Sequence, residues 1–299
     1  MALRTTHNSA PALARIGSFV KAVTAHYEKH ARDLPWRHDL TSYRIVVSEI
    51  MLQQTQVSRA MRKFDHFIKK FPSFAALSKT SLSAVLAVWQ GLGYNRRALN
   101  LHKLAQIVME KYDGKLPQNY AELVELPGIG PNTAGSILAF AFNLPYPFIE
   151  TNIRSVYIHF FFPAVEKKEG KKACKKIRDD QLLLLIEKTI IVAMKSGRFK
   201  DNPREWYYAL MDYGTFLKQT LSNPSRRSAH HVRQSRFEGS NRQLRARILR
   251  FIIRGPKTLI EVENEYVDRM HDVDQVKKNA DDLTKEGFIT KKNGKYSII

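Results

Sequence analysis

Leu126-Pro127-Gly128-Ile129-Gly130-Pro131-Asn132-Thr133-Ala134 decides how this chain reads. Two glycines bracket one apolar residue, and a proline then opens an apolar stretch. Glycine accepts backbone angles that a Cβ resists, and it lets the backbone of another molecule come close. Pro131 suits the first position of a helix, where its missing N–H costs nothing. Upstream, residues 121–126 spell a short helix; downstream, 133–142 (TAGSILAFAF) spell a buried helix rich in small residues. The product is a tight turn between two helices with N–H groups at a helix start, which is an anion site; the natural anion is a nucleic-acid phosphate. Gly128, Ile129, Gly130, Asn132 and Thr133 are then its contact residues. The same dipeptides also mark ordinary turns, so the glycines alone leave both readings open.

Composition favours the phosphate. The chain has 299 residues, enough for about two domains. Its 49 lysines and arginines face 28 acidic residues, a formal charge of +21. A pI near 10.0 points to a polyanion such as DNA, the plainer alternative being a solvated basic surface. Cys174 stands alone in a lysine-rich run, so neither an internal disulfide nor a four-thiolate cluster is available. A reducing compartment is expected. No apolar run approaches a membrane span, and no secretory leader is evident. The first 27 residues lack any acid, which fits a transit-like segment or an amphipathic helix over 12–31. The expected setting is cytoplasmic with the nucleoid, or nuclear, and not secreted.

Helical periodicity dominates up to about residue 220. It is continuous over 42–70, with Ile45, Val46, Ile50, Val57, Met61, Phe64 and Ile68 as the apolar set and Phe71-Pro72 as its end. Further helices are expected over 82–89, 95–112, 152–162, 180–195 and 203–217, and 167–176 reads as a basic loop or a helix start. The aromatic run in 152–162 reads as core. Residues 218–256 hold ten lysines and arginines against Glu238 alone, which favours phosphate contact over a plain linker. Helices over 243–254, 258–266 and 273–286 follow. Phe288–Ile298 then reads as a hairpin around Asn293-Gly294. Three helices and a basic hairpin resemble a winged-helix domain.

Two carboxylates could carry chemistry. Glu49 is the lone acid in Ile45–Leu52, followed by Gln53 and Gln54. Desolvation raises the pKa of such a group and keeps it protonated as a general acid; a glutamate at the edge of an amphipathic helix is the simpler alternative. Glu150, in Phe148-Ile149-Glu150-Thr151-Asn152, is either a helix-start charge or a second functional carboxylate. Paired with a DNA clamp, two carboxylates suit N-glycosidic cleavage: one protonates the leaving base and the other stabilises the cationic sugar.

Leu34-Pro35-Trp36-Arg37, Ser48–Val57, Gly91-Leu92-Gly93-Tyr94 and 126–135 together resemble the helix-hairpin-helix/GPD DNA glycosylases, and among them the MutY-type adenine glycosylases. The resemblance runs from about residue 16 to 217. It implies that Glu49 protonates adenine N7, that Glu150 takes the place of the family's oxocarbenium-supporting aspartate, and that Asn152 assists. It puts Trp36, Arg37, Leu52, Val57 and Asp212 around the base, and Gln53, Gln54, Thr55, Leu92 and Tyr94 against the DNA stack and the opposite base. Extruding the target base meets the need to reach an atom hidden in a duplex.

Four departures from the family pattern shape the expectation. Asn132 stands where bifunctional relatives such as endonuclease III carry a Schiff-base lysine, so base release without strand cleavage is expected. The four-cysteine iron–sulfur loop is replaced by 223–236, with Arg226 and Arg227 as DNA contacts and His230-His231 as further DNA contacts or metal ligands. The family's 8-oxoguanine-reading domain is replaced by the winged-helix-like unit. Glu150 is one methylene longer than aspartate.

The expected architecture is therefore mainly α: a two-lobed helix-hairpin-helix glycosylase fold followed by a small winged-helix-like α+β domain. One lobe is formed by 1–30 with 146–220, and the six-helix lobe by 31–145 with the hairpin at 121–142. A basic linker at 221–241 and the C-terminal domain at 242–299 follow. The expected activity is monofunctional removal of adenine opposite 8-oxoguanine or guanine. Thymine or uracil removal, and DNA binding without catalysis, are the alternatives. A monomer is expected on double-stranded DNA with a mismatch or oxidised base. Neither a membrane partner, a metal site nor an iron–sulfur cluster is expected, a monovalent cation at the hairpin being the one ion the family allows.

Overall fold

A computed structural model describes residues 10–163, 176–195, 197–231 and 236–299, with side chains from residue 14 onward. Cys174 and most of the basic segment 167–176 lie outside the described residues. In chain order the helices are α1 (Ala10–His30), α2 (Ser42–Leu52), α3 (Val57–Lys70), α4 (Phe74–Ser78), α5 (Leu82–Trp89), α6 (Arg96–Lys111), α7 (Tyr120–Val124) and α8 (Pro131–Phe142). They continue as α9 (Thr151–Phe161), α10 (Asp179–Lys195), α11 (Pro203–Thr220), α12 (Asn241–Ile253), α13 (Leu259–Tyr266) and α14 (Val273–Lys285). Strands β1 (Lys257–Thr258), β2 (Ile289–Lys292) and β3 (Lys295–Ile298) are confined to the C-terminal end. The mainly helical fold with a small C-terminal sheet is as expected. No helix among the described residues is long and apolar enough to cross a membrane.

The chain divides into two compact units: Met1–Asp33 with Pro131–Val232, and Leu34–Gly130 with Arg233–Ile299. The division falls just after the glycine pair, not at residue 145, and the C-terminal residues cluster with 34–130.

In the first unit, α1, α9 and α11 meet through aromatic side chains. Phe19 packs at 5.0–5.7 Å, tilted or edge-on, against Tyr157, Phe160, Phe161 and Trp206. The aromatic run of α9 is thus core, since such rings bury large apolar area and prefer edge contacts. Two glycines set how closely its neighbours approach. A Cβ on Gly214 would lie 2.4 Å from the Asn152 carbonyl oxygen, and one on Gly135 would lie 2.6 Å from Phe148 Cβ. Both therefore fix the segment that carries Glu150.

In the second unit, Trp89 and Phe67 centre the helical core, with Trp36 edge-on to Phe64 at 5.5 Å. Tyr43 is enclosed and donates to the Phe71 carbonyl at 2.5 Å; burial pushes its phenol well above the usual range. The apolar periodicity of 42–70 does not form one helix: it breaks at Gln53–Gln56, where Gln54 adopts φ 54°. Apolar spacing survives the break because both halves face one core. The five-residue helix α4 is too short to leave a period.

The C-terminal residues of this unit form α12–β1–α13–α14–β2–β3, with an antiparallel sheet in the order β1-β3-β2. This is the winged-helix-like arrangement read from sequence. Asn293 (φ 48°) and Gly294 (φ 74°) make the hairpin turn, with Lys292 opposite Lys295. Thr258 and Glu261 form a reciprocal capping box on α13.

Candidate active site

The second unit holds Glu49 and the loops that follow α2 and α5. Glu49 lies half-buried one turn before the end of α2, flanked in sequence by Ser48 and Ile50, both 0–1% exposed. Leu52 and Val57 flank the break at half-buried positions, and Arg37 is half-buried after the 3-10 turn Pro35–Arg37. Trp36, 5% exposed, belongs to the core packing around Phe64.

Arg97 organises this region, and sequence reasoning missed it. Only 8% exposed, it donates from Nη1 to the carbonyls of Ile50 (2.9 Å), Met51 (2.8 Å) and Gln53 (2.6 Å). Its Nη2 reaches Thr55 Oγ1 (3.0 Å) and the carbonyls of Leu92 (3.2 Å) and Gly93 (3.0 Å). One guanidinium thus takes up the unpaired carbonyls at the end of α2 and ties them to the loop before α6. Burial pushes its pKa down to about 10, while the nearby Tyr94 works the other way. The only signal in the sequence was an arginine within an otherwise apolar helical face.

That loop presents some residues and buries others. Tyr94 adopts φ 48° and Gln54 φ 54°, a left-handed conformation that side chains with a Cβ seldom occupy without external support. Gln54 is exposed and Tyr94 half-buried. Leu92, expected to wedge into DNA, is 2% exposed and packs inward, and Ile129 is likewise buried at 5%. Gln53 does not face outward either: its Nε2 donates to the Gly128 carbonyl at 3.1 Å and so braces the glycine turn. Gly128 needs its φ of 84°, and a Cβ there would press on Asn100 at 3.0 Å. Gly130 has no positive φ, and a Cβ there would meet nothing within 4 Å. Neither backbone conformation nor packing within this chain therefore requires a glycine at 130.

In the first unit, the hairpin helix α8 begins at Pro131 as its sequence requires. Asn132 accepts a hydrogen bond from the Ile149 N–H at 3.2 Å, so it anchors the residue just before Glu150. Thr133 is half-buried in the same first turn, and Arg204 takes the Phe140 carbonyl at the far end of α8 (2.6 Å).

Glu150 is the N-cap of α9. Oε1 accepts from the N–H groups of Asn152 (2.7 Å) and Ile153 (2.9 Å), and Oε2 accepts from Asn152 Nδ2 (3.3 Å). The extra methylene therefore folds the carboxylate back onto its own helix, where the helix dipole favours it. The longer side chain is pinned in place. Asn152 Oδ1 is buried and has no hydrogen-bond partner among the described residues. Lys218 on α11 was missed by sequence reasoning; burial lowers its pKa, the Glu150 carboxylate opposes that, and Arg32 reinforces it.

Asp212, expected beside the base, is 2% exposed and accepts from Arg32 N–H (2.9 Å) and Nε (2.6 Å), joining the residues just after α1 to α11. Arg227 departs from its expected DNA role: its guanidinium is committed to the carbonyls of Phe162 (2.5 Å) and Pro163 (3.3 Å) after α9. Arg226 remains exposed. The segment after α11 is tied by Asn223, whose Oδ1 accepts from Ser225 N–H (3.0 Å), Ser225 Oγ (2.8 Å) and Ser155 Oγ (3.3 Å). His230 and His231 are exposed, and no group of three or more His, Cys, Asp or Glu among the described residues is placed to hold a metal ion.

Residues 47–179, which include both carboxylates, match the HhH-GPD superfamily of base excision DNA repair proteins. The adenine DNA glycosylase of Buchnera aphidicola is 42% identical over 144 residues, 48% of this chain and 41% of that protein. The adenine DNA glycosylase of Mycolicibacterium smegmatis is 40% identical over 131 residues, 44% of this chain and 45% of that protein. The chain thus matches less than half the length of these curated relatives. Among solved structures, a thermostable thymine-DNA glycosylase superposes with a TM-score of 0.58 at 24% identity, covering 73% of this chain and 94% of that one, a likeness of fold. The chain thus carries, over residues 47–179, a segment that matches the HhH-GPD superfamily of base excision DNA repair proteins and is similar to adenine DNA glycosylases.

Proposed function

We propose that the chain is a monofunctional DNA glycosylase that hydrolyses the N-glycosidic bond of an extruded adenine opposite 8-oxoguanine or guanine. The supporting observation is that Glu49 and the capped Glu150 both fall inside the segment matching the superfamily, in a chain similar to proteins named adenine DNA glycosylase. In the reaction, Glu49 donates a proton to the leaving base, the C1′–N bond breaks, and water adds to the cationic sugar carbon with loss of a proton. Glu150, held by two backbone N–H groups and Asn152, supplies the fixed negative charge that the cationic sugar requires. Asn132, engaged with Ile149, supplies no amine for an imine, so strand cleavage is not part of the reaction.

Purified protein is incubated with duplexes carrying A opposite 8-oxoguanine, G and C, and T or U opposite G, then treated with alkali. Alkali-labile product from the A:8-oxoguanine and A:G duplexes, with no borohydride-trapped adduct on abasic DNA, is the expected result. Product from T:G or U:G alone would move the substrate to pyrimidines. No product from any duplex, with folded protein, would overturn the enzymatic reading in favour of a DNA-binding protein. A trapped adduct would direct attention to Lys218, an amine whose pKa is lowered by burial and which the Glu150 charge influences.

A further inference from the structure

The second unit contains a cleft of about 910 Å³ that no step above uses. It lies between the loops around Gln54 and Tyr94 and the C-terminal helix α12 with the residues just before it. Its size falls in the range of sites that enclose a small ligand or a nucleotide. Six arginines line it against a single carboxylate, Glu286, which already bridges Arg96 (2.8 Å) and Arg245 (2.6 Å). So basic a cleft suits a phosphate-bearing occupant.

Flat groups accompany the charge. Arg242 donates from Nη1 to Tyr94 Oη at 2.6 Å, and its guanidinium lies 5.5 Å from the Tyr94 ring centroid and 5.9 Å from that of Phe237. Phe237 is 54% exposed, an unusual position for a phenyl ring that lines a basic cleft. Arg250 reaches Gln90 Oε1 at 3.3 Å and thereby joins α12 to the end of α5. Aromatic rings interleaved with arginines form a stacking platform with phosphate contacts, the combination that holds an unpaired base and its backbone. The two left-handed residues of this unit's site loops, Gln54 and Tyr94, both line the cleft, so the backbone strain sits where the occupant would be read.

We propose that the C-terminal unit completes a nucleotide-reading cleft, in which Arg242 and Phe237 act with Tyr94 and Gln54 on the nucleotide opposite the excised base. The identity of that nucleotide rests on the glycosylase reading; the cleft and its chemistry do not. The unit thereby makes choice of the opposite base a joint property of the glycosylase segment and the winged-helix-like residues.

The test is binding, which needs no catalysis. Affinities of the full chain are measured by fluorescence anisotropy on duplexes holding a stable tetrahydrofuran abasic analogue opposite 8-oxoguanine, guanine or cytosine. Four proteins are compared: wild type, Arg242→Ala, Phe237→Ala and Lys278→Ala. Phe237 is exposed, so its variant guards against a folding defect in Arg242→Ala. Lys278 is an exposed α14 cation and controls for simple loss of charge. The wild type is expected to discriminate among the three duplexes. Arg242→Ala and Phe237→Ala are expected to weaken binding to the preferred duplex about tenfold and to narrow the preference, while Lys278→Ala keeps it.

Equal weakening on all three duplexes would reduce Arg242 to a phosphate contact and overturn the inference, as would wild-type preference in both cleft variants. A wild type without preference would overturn it too. If the wild type excises bases but the variants discriminate normally, only this inference falls. If it discriminates but excises nothing, the glycosylase reading falls and the cleft stands.

Discussion

The loops that carry Gln54 and Tyr94 and the C-terminal residues 257–298 belong to one compact unit but are built by opposite rules. The loops break local rules: two residues with side chains sit at positive φ, and a buried arginine spends its fork on backbone carbonyls. The C-terminal residues obey them. Thr258 and Glu261 cap α13 reciprocally, Asp272 caps α14 through the Gln275 N–H, and Asn293-Gly294 turn the hairpin in the conformation those residues prefer. The contrast teaches where function is expected. Strain persists only where surrounding structure over-determines it, and it gathers at sites that must present a side chain in a set direction. The C-terminal residues form a stable scaffold that contributes side chains to a cleft without being strained itself.

Replacing the guanidinium fork should have the larger effect on stability. Arg97→Lys keeps a cation but cannot reach six acceptors, leaving several buried carbonyls unpaired at about 1–3 kcal/mol each. We expect at least about 3 kcal/mol lower stability in urea unfolding, and faster amide exchange in residues 53–55 and 92–94. A loss below about 1 kcal/mol, with protection unchanged, would show that the loops hold their shape without Arg97. The C-terminal counterpart, Thr258→Ala, should cost only about 1 kcal/mol, visible as faster exchange confined to α13, with base excision unaltered. Equal penalties for the two substitutions would erase the distinction between the regions.

A smaller effect concerns pH. His102, on the same helix as Arg97, is 7% exposed, its Nε2 lies 2.8 Å from the Thr80 carbonyl, and burial depresses its pKa below 6.5. Below 6.5 the unfolded chain therefore binds this proton more readily than the folded one. Stability is fully present above 6.5 and falls as pH drops towards the folded value. His102→Gln should flatten that part of the stability profile between pH 7 and 5. A wild-type slope retained in His102→Gln would assign the pH dependence to other groups.

Most of the fold was legible in sequence because its helices are amphipathic and its turns use standard residues. The glycine turn, Pro131, the aromatic core of α9 and the Asn293-Gly294 hairpin all follow from local rules. The break between α2 and α3 was not legible, since the residue that takes up its carbonyls, Arg97, lies 44 positions beyond Gln53 and reaches them through tertiary contact. β1 is two residues long and leaves no alternation. At the site, Glu49 stood out as the lone acid of an apolar run and Glu150 as a charge at a helix start, and the family resemblance supplied the roles expected of them. What escaped were roles set by distant partners. Leu92 turns inward, Gln53 braces Gly128, Arg227 caps α9, and burial lowers the pKa of Lys218 against the opposing charge of Glu150. The same chemistry-bearing residue type reads alike on a surface and in a brace until its partner is known.

The most direct test of the account is single-turnover base release from an A:8-oxoguanine duplex by the wild type and by Glu49→Gln, with DNA affinity measured alongside. Loss of the proton donor should slow release by about 10²–10⁴-fold while affinity is retained. Equal release rates in the two proteins would contradict the assignment of Glu49 as the acid that frees the base.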